Sequence, residues 1–190
     1  MMHLNEDGTV GEIADGIFHE GIGCSNADHN FIPHVTCVKL TVDQKYLCAV
    51  DSGLDHVKVY EVDYENGKLK LFNIIRGHID SAPRMIRFRR ELYCVYVLCE
   101  GDNNIYVYHY KTDKCMAKGM ELVQIIGTSD TTENIPYAAS GIEFSPDGKH
   151  LFVTNAGINT AMIYDVDKET GLLTKNCENS LGGDYPKTVA

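Results

Sequence analysis

The side chains able to do chemistry in this sequence stand out by position more than by motif. Glu100 directly follows the apolar run Tyr93–Leu98 and Cys99, an unusual place for a solvated acid and a place where acids line pockets. Arg84 follows Pro83, and its guanidinium is suited either to a pocket anion or to an ion pair with Glu100 or Asp51. His34 follows Pro33 at the entry to an apolar stretch. Asp51 and Asp55 bracket Ser52-Gly53-Leu54 and read as turn-capping acids, while His56, His78, His109 and His150 read as surface residues. The seven cysteines are odd in number and irregular in spacing, with no CxxC or HExxH. That pattern predicts reduced thiols packed as small core residues in a cytoplasmic protein, and no metal site.

Composition narrows the classes further. With 17 Lys+Arg against 27 Asp+Glu and a net charge of −10, the 190-residue chain would repel phosphate backbones, so no nucleic-acid partner is expected. The short basic run Arg87-Phe88-Arg89-Arg90 reads as a solvated turn. No apolar run reaches the ~18 residues that span a membrane, and the polar, acidic start MMHLNEDGTV lacks the features of a secretory signal.

These groups must be positioned by a repeat. Leu40–Tyr60, Phe88–Tyr108 and Phe144–Tyr164 superimpose without gaps over 21 residues, at offsets of 48 and 56. Each copy is preceded two positions earlier by Val38, Ile86 or Ile142, and the longer offset holds an insertion around Thr128–Tyr137. A period of ~40–50 residues built from short apolar segments is that of a propeller blade. Each copy reads as four strands. The first ends at Leu40, Phe88 or Phe144, and the turn after it is clearest as Ser145-Pro146-Asp147-Gly148. The second, nearly all apolar strand (Tyr46–Val50, Tyr93–Leu98, Leu151–Thr154) is expected to be covered on both faces. A third, alternating strand ends in Tyr60, Tyr108 or Tyr164, a column that reads as packing between blades. A fourth (Lys68–Leu71, Glu121–Ile125, Leu172–Lys175) closes the unit, in the first and third copies after an Asn-Gly or Thr-Gly turn.

The expected fold is therefore all-β, a β-propeller of four-stranded antiparallel blades, incomplete at about four of seven. Residues 1–32 would end a preceding blade, 33–82, 83–138 and 139–185 would form three blades, and 186–190 would begin the next, all in one partial domain. At ~48 residues per blade a seven-bladed ring needs about 340 residues. An unclosed ring leaves two blade faces bare, so self-association through them is expected.

The ordered motifs His19-Glu20-Gly21, Pro33-His34-Val35, Asp51-Ser52-Gly53-Leu54-Asp55, Ser81-Ala82-Pro83-Arg84, Val97-Leu98-Cys99-Glu100, Phe144-Ser145-Pro146-Asp147-Gly148-Lys149 and Gly182-Gly183-Asp184-Tyr185-Pro186 resemble the lactonase family of seven-bladed β-propellers. That family includes propeller-type 6-phosphogluconolactonases and fungal carboxy-muconate cyclases. The resemblance implies hydrolysis of a small sugar lactone in the pentose phosphate pathway, with no metal or organic cofactor. It implies a central pocket holding His34, Arg84 (from a Pro-Arg motif at the corresponding place in the next blade) and Glu100. In those roles Arg84 meets the substrate anion or carbonyl, Glu100 is the base for water, and His34 is a donor or proton shuttle. Thr36, Met85, Ala156 and Lys187 stand where the family has His, His, Arg and Arg. Those departures imply a second reading, a degenerate, non-catalytic propeller segment or binding scaffold. A carboxy-muconate-type lactonising activity is a third.

Overall fold

The structure, a computed structural model, describes residues 1–23, 32–110 and 120–189. A two-stranded hairpin, β1 (Met2–Leu4) and β2 (Val10–Ile13), precedes three four-stranded antiparallel meanders. The first meander is β3 (Val35–Leu40), β4 (Tyr46–Asp51), β5 (His56–Asp63) and β6 (Lys68–Arg76). The second is β7 (Pro83–Arg89), β8 (Cys94–Cys99), β9 (Asn104–His109) and β10 (Glu121–Gly127). The third is β11 (Ala138–Phe144), β12 (His150–Ala156), β13 (Thr160–Val166) and β14 (Leu173–Ser180). The one helical turn among the described residues, Arg90–Leu92, stands in place of the β-turn of the other two copies. No helix among the described residues is long and apolar enough to cross a membrane.

The sequence repeat and the strand register coincide. Leu40 faces Leu47, Phe88 faces Val95, and Phe144 faces Leu151. Those partners in turn face Tyr60, Tyr108 and Tyr164. Equivalent residues therefore project from equivalent faces, because a one-residue slip would send each apolar set to the opposite face. Successive sheets touch through their first strands, β3 against β7 and β7 against β11.

Two apolar layers hold the sheets together. Val50, Val57 and Val59 pack against Ile86, Val97 and Tyr106, all at most 4% exposed. Tyr96, Leu98 and Val107 pack against Ile142, Val153 and Met162 on the other side of the middle sheet. Strand β8 is buried at every position, which explains its unbroken apolar sequence. Each Val- or Leu-sized side chain so buried contributes about 1.5–3 kcal/mol. The tyrosine column adds directional links between units. Tyr164 donates to the Gly127 carbonyl of the preceding sheet at 2.7 Å, and the Tyr60 hydroxyl meets His19 Nε2 at 3.0 Å.

The fourth strands run past their expected ends at Leu71, Ile125 and Lys175, to Arg76, Gly127 and Ser180. The added residues are apolar (Phe72, Ile74, Ile75, Ile126) as well as polar (Asn73, Asn176, Glu178). Outer strands keep the ladder without burying both faces, so their ends follow the backbone hydrogen bonds and no change of side-chain type marks them.

Cys48, Cys94 and Cys99 are buried thiols, Cys37 is half-buried and Cys177 is exposed, whereas Cys24 and Cys115 lie outside the described residues. Desolvation, with the nearby Cys37 sulfur, pushes the Cys48 thiol up to about 12. Burial also raises Cys94 and Cys99. Since the thiolate is the nucleophile, iodoacetamide at mildly alkaline pH should alkylate Cys177 well before Cys48 or Cys99, with the difference vanishing in denaturant. Peptide mass spectrometry over a labelling time course reads this directly.

Candidate active site

The first strands carry the site because each contains a bulge near its start. Pairing shifts between Val35 and Cys37, between Pro83 and Met85, and between Ala139 and Gly141. The extra residues are Thr36, Arg84 and Ser140. A bulge re-aims its side chain out of the alternation of the strand. The three are linked in sequence: Thr36 Oγ1 donates to the Arg84 carbonyl at 2.8 Å, and Arg84 Nε donates to the Ser140 carbonyl at 3.1 Å.

Arg84 also donates through Nη1 to Glu100 Oε2 at 2.6 Å. Their side chains are 30% and 24% exposed, so the pair is neither sealed in the core nor freely solvated. Glu100 is delivered by the end of β8, and its backbone N–H donates to the Ala82 carbonyl at 3.0 Å. Gly101 follows, with its N–H on the Ser81 carbonyl at 3.0 Å. A Cβ at Gly101 would fall on the Asp80 carbonyl oxygen, so only glycine permits this approach between the turn and the segment carrying Arg84. Gly53 meets the Ile32 carbonyl in the same way one unit earlier.

Among the described residues, Arg84 Nη2 and Glu100 Oε1 make no hydrogen bond. The pair thus combines one unspent guanidinium face with one unspent carboxylate oxygen. Such an arrangement can hold an anionic or carbonyl oxygen while accepting a proton from water.

His34 is fixed through its backbone. Its N–H donates to Asp51 Oδ1 at 2.9 Å, its carbonyl accepts from the Ser52 N–H at 3.0 Å, and the residue is exposed. No hydrogen bond joins its imidazole to the Arg84–Glu100 pair among the described residues. Register pairs Arg84 with Thr36, as the gapless offset of 48 already requires, and not with His34, although both follow a proline; each first strand carries its bulge at the same place, so the correspondence is kept.

Asp51 is a turn cap, as its position predicts, with Oδ1 accepting from Gly53 and Leu54 as well as His34. Asp55, at φ +50, caps forward instead, accepting from the Asp80 and Ala82 N–H groups that lead into β7. His56 departs from the surface reading. It is 7% exposed, and the His19 ring lies 6.2 Å from its own over the face it shares with Asp51. In the sequence His19 stands out only as part of the motif His19-Glu20-Gly21. Its side chain is buried, with Nδ1 2.5 Å from Asp51 Oδ2, an association over 32 positions that no local pattern announces.

Four-stranded antiparallel sheets meeting through their first strands, in a common register and with side chains gathered at bulges, define a β-propeller. The whole chain, residues 1–190, matches the family described as "Lactonase, 7-bladed beta-propeller", and the protein belongs to that family. It is 25% identical over 184 residues to a 6-phosphogluconolactonase of Bacillus subtilis, covering 97% of this chain and 51% of that protein. A solved structure from Lactobacillus plantarum superposes with a TM-score of 0.87 at 26% identity, over 98% of this chain and 52% of the other. The periplasmic gluconolactonase of Pseudomonas aeruginosa shares the fold with a TM-score of 0.88 at 22% identity, over 97% and 51% of the two chains. The chain therefore spans about half the length of these relatives.

Proposed function

We propose that this chain contributes to hydrolysis of a small sugar lactone, 6-phosphogluconolactone being the substrate the relatives favour. The observation that carries the reading is the Arg84–Glu100 pair, with a guanidinium nitrogen and a carboxylate oxygen both unspent at the bulged start of β7. In this reading Arg84 Nη2 receives the lactone carbonyl oxygen, and Glu100 Oε1 takes a proton from water as the water oxygen bonds to the carbonyl carbon. The oxyanion that forms is held by the guanidinium. Its collapse breaks the ring C–O bond, and the ring oxygen takes up the proton Glu100 received. The pentose phosphate pathway and a cytoplasmic setting belong to the same proposal. His34 is assigned as a donor to substrate hydroxyl or phosphate oxygens, a role its exposed position permits.

A second reading, a non-catalytic propeller segment, is favoured by three positions. The Thr36 hydroxyl is committed to the Arg84 carbonyl, Met85 packs into the apolar layer between the second and third sheets, and Ala156 is 4% exposed. The purified chain, supplied with freshly generated 6-phosphogluconolactone, should release acid faster than buffer alone when followed by pH indicator. A rate equal to buffer would remove the lactonase reading and leave the scaffold.

A further inference from the structure

A second cluster lies away from the Arg84–Glu100 pair. Donor atoms of His19, Asp51 and His56 all fall within 4.8 Å of one another. Asp51 and His56 are direct cross-strand partners on β4 and β5, so their side chains leave the same face of the sheet, and His19 is laid over that face by the segment before β3. Asp51 is fully buried. Its Oδ1 is saturated by three backbone N–H groups, which leaves Oδ2 to face His19. His56 supplies an independent sign: it is 7% exposed, yet its Nε2 is buried without a hydrogen-bond partner. A buried, unpaired imidazole nitrogen on a residue clustered with a carboxylate and a second imidazole is a polar atom for which the protein supplies no partner.

We propose that His19, Asp51 and His56 form a binding site for a divalent transition metal of the zinc class. Two imidazoles and one monodentate carboxylate are a three-ligand zinc set with a fourth position open. His56 also lines a cavity of about 370 Å³ with Glu20, Lys58 and Arg76, which supplies an entry path and room for water or an exogenous ligand at that position. Zinc donors at about 2.0–2.2 Å from the ion lie roughly 3.3 Å apart. Binding therefore opens the His19–Asp51 contact from 2.5 Å and draws the His56 nitrogen inward. The proton accounting closes within the cluster. In the metal-free form His19 Nδ1–H donates to Asp51, and Nε2 accepts from Tyr60. In the metal-bound form Nδ1 gives its lone pair to the ion, its proton resides on Nε2, and the Tyr60 hydroxyl turns to accept it. The ion would clamp the segment bearing His19 onto the first sheet. The three ligands sit at separations of 32 and 5 residues, which is why no ligand spacing is legible in the sequence.

The test is titration of the purified protein with cobalt(II), followed by zinc displacement. One equivalent of cobalt should produce the visible absorption of a tetrahedral nitrogen–oxygen site, zinc should abolish it, and zinc should raise the melting temperature. His56→Gln, shown folded by circular dichroism, should weaken cobalt binding by about a hundredfold or more, exceeding the 10–100-fold typical of outer-shell changes. Tyr60→Phe should weaken it within that range. His78→Gln, on an exposed residue, should leave it unchanged. Absence of a cobalt spectrum, equal affinity in His56→Gln, or a sulfur-to-cobalt charge-transfer band from a thiol such as Cys177 would each overturn the assignment. Because the readout is binding, the outcome does not depend on lactone hydrolysis.

Discussion

Glu100→Gln is expected to lower kcat for lactone hydrolysis by about 10²–10⁴-fold, the range a positioned general base supplies. The substitution preserves shape, and the amide oxygen can still accept from Arg84 Nη1, so the geometry of the pair survives while the proton acceptor is lost. KM should change little, since no substrate contact is assigned to the carboxylate before water attacks. Arg84→Lys should behave differently. It retains charge but loses the planar fork that serves Glu100, the Ser140 carbonyl and substrate at once. Both kcat and KM should suffer. Steady-state kinetics of the two variants, with melting curves to confirm folding, separate a base from an anion holder. Parent-like turnover by Glu100→Gln would end the base assignment whatever the Arg84 result.

The second large effect is structural. Gly101→Ala should destabilise the protein by about 2–4 kcal/mol, in the range of substitutions that force overpacking or backbone strain. The added methyl meets the Asp80 backbone oxygen, which cannot rotate away as a flexible side chain would. Relief requires moving residues 80–84, whose placement rests on Asp55 accepting from Asp80 and Ala82 and on the Ser81 carbonyl accepting from Gly101. Activity should therefore fall even where the variant remains folded. Gly182→Ala, where no atom lies within 4 Å, should stay within about 0.5 kcal/mol of the parent. Urea unfolding of both variants checks the contrast; equal midpoints would show that the connection yields more easily than its hydrogen bonds imply.

The fold was legible because apolar pattern and register share a period of two. Leu40, Phe88 and Phe144 mark first strands, Tyr60, Tyr108 and Tyr164 mark third strands, and the pairing aligns them residue for residue. The ends of the fourth strands were not legible, since the ladder continues through residues 72–76, 126–127 and 176–180 by bonds made by backbone whatever the side chain. The proximity of Arg84 and Glu100 followed from the repeat, which returns the end of a second strand to the start of the first. The correspondence of Arg84 with Thr36 follows from the same offset of 48, whereas the bulge that takes both out of the strand's alternation does not, because a bulge is a backbone event with no obligatory residue type. His56 was misread for a related reason. Alternation shows which face a side chain leaves, but not that a segment some 35 residues earlier in the chain lies across that face.

The bulges at Thr36, Arg84 and Ser140 place a short hydroxyl, a long cation and another hydroxyl on nearly the same backbone frame. Backbone pairing, not side-chain identity, fixes where each one stands: Arg84 reaches a charged partner, the Thr36 hydroxyl turns to the Arg84 carbonyl, and the buried Ser140 hydroxyl turns to Thr154. One backbone device thus serves as a tie to the next sheet in the first copy, as the mount of an ion pair in the second, and as an internal anchor in the third.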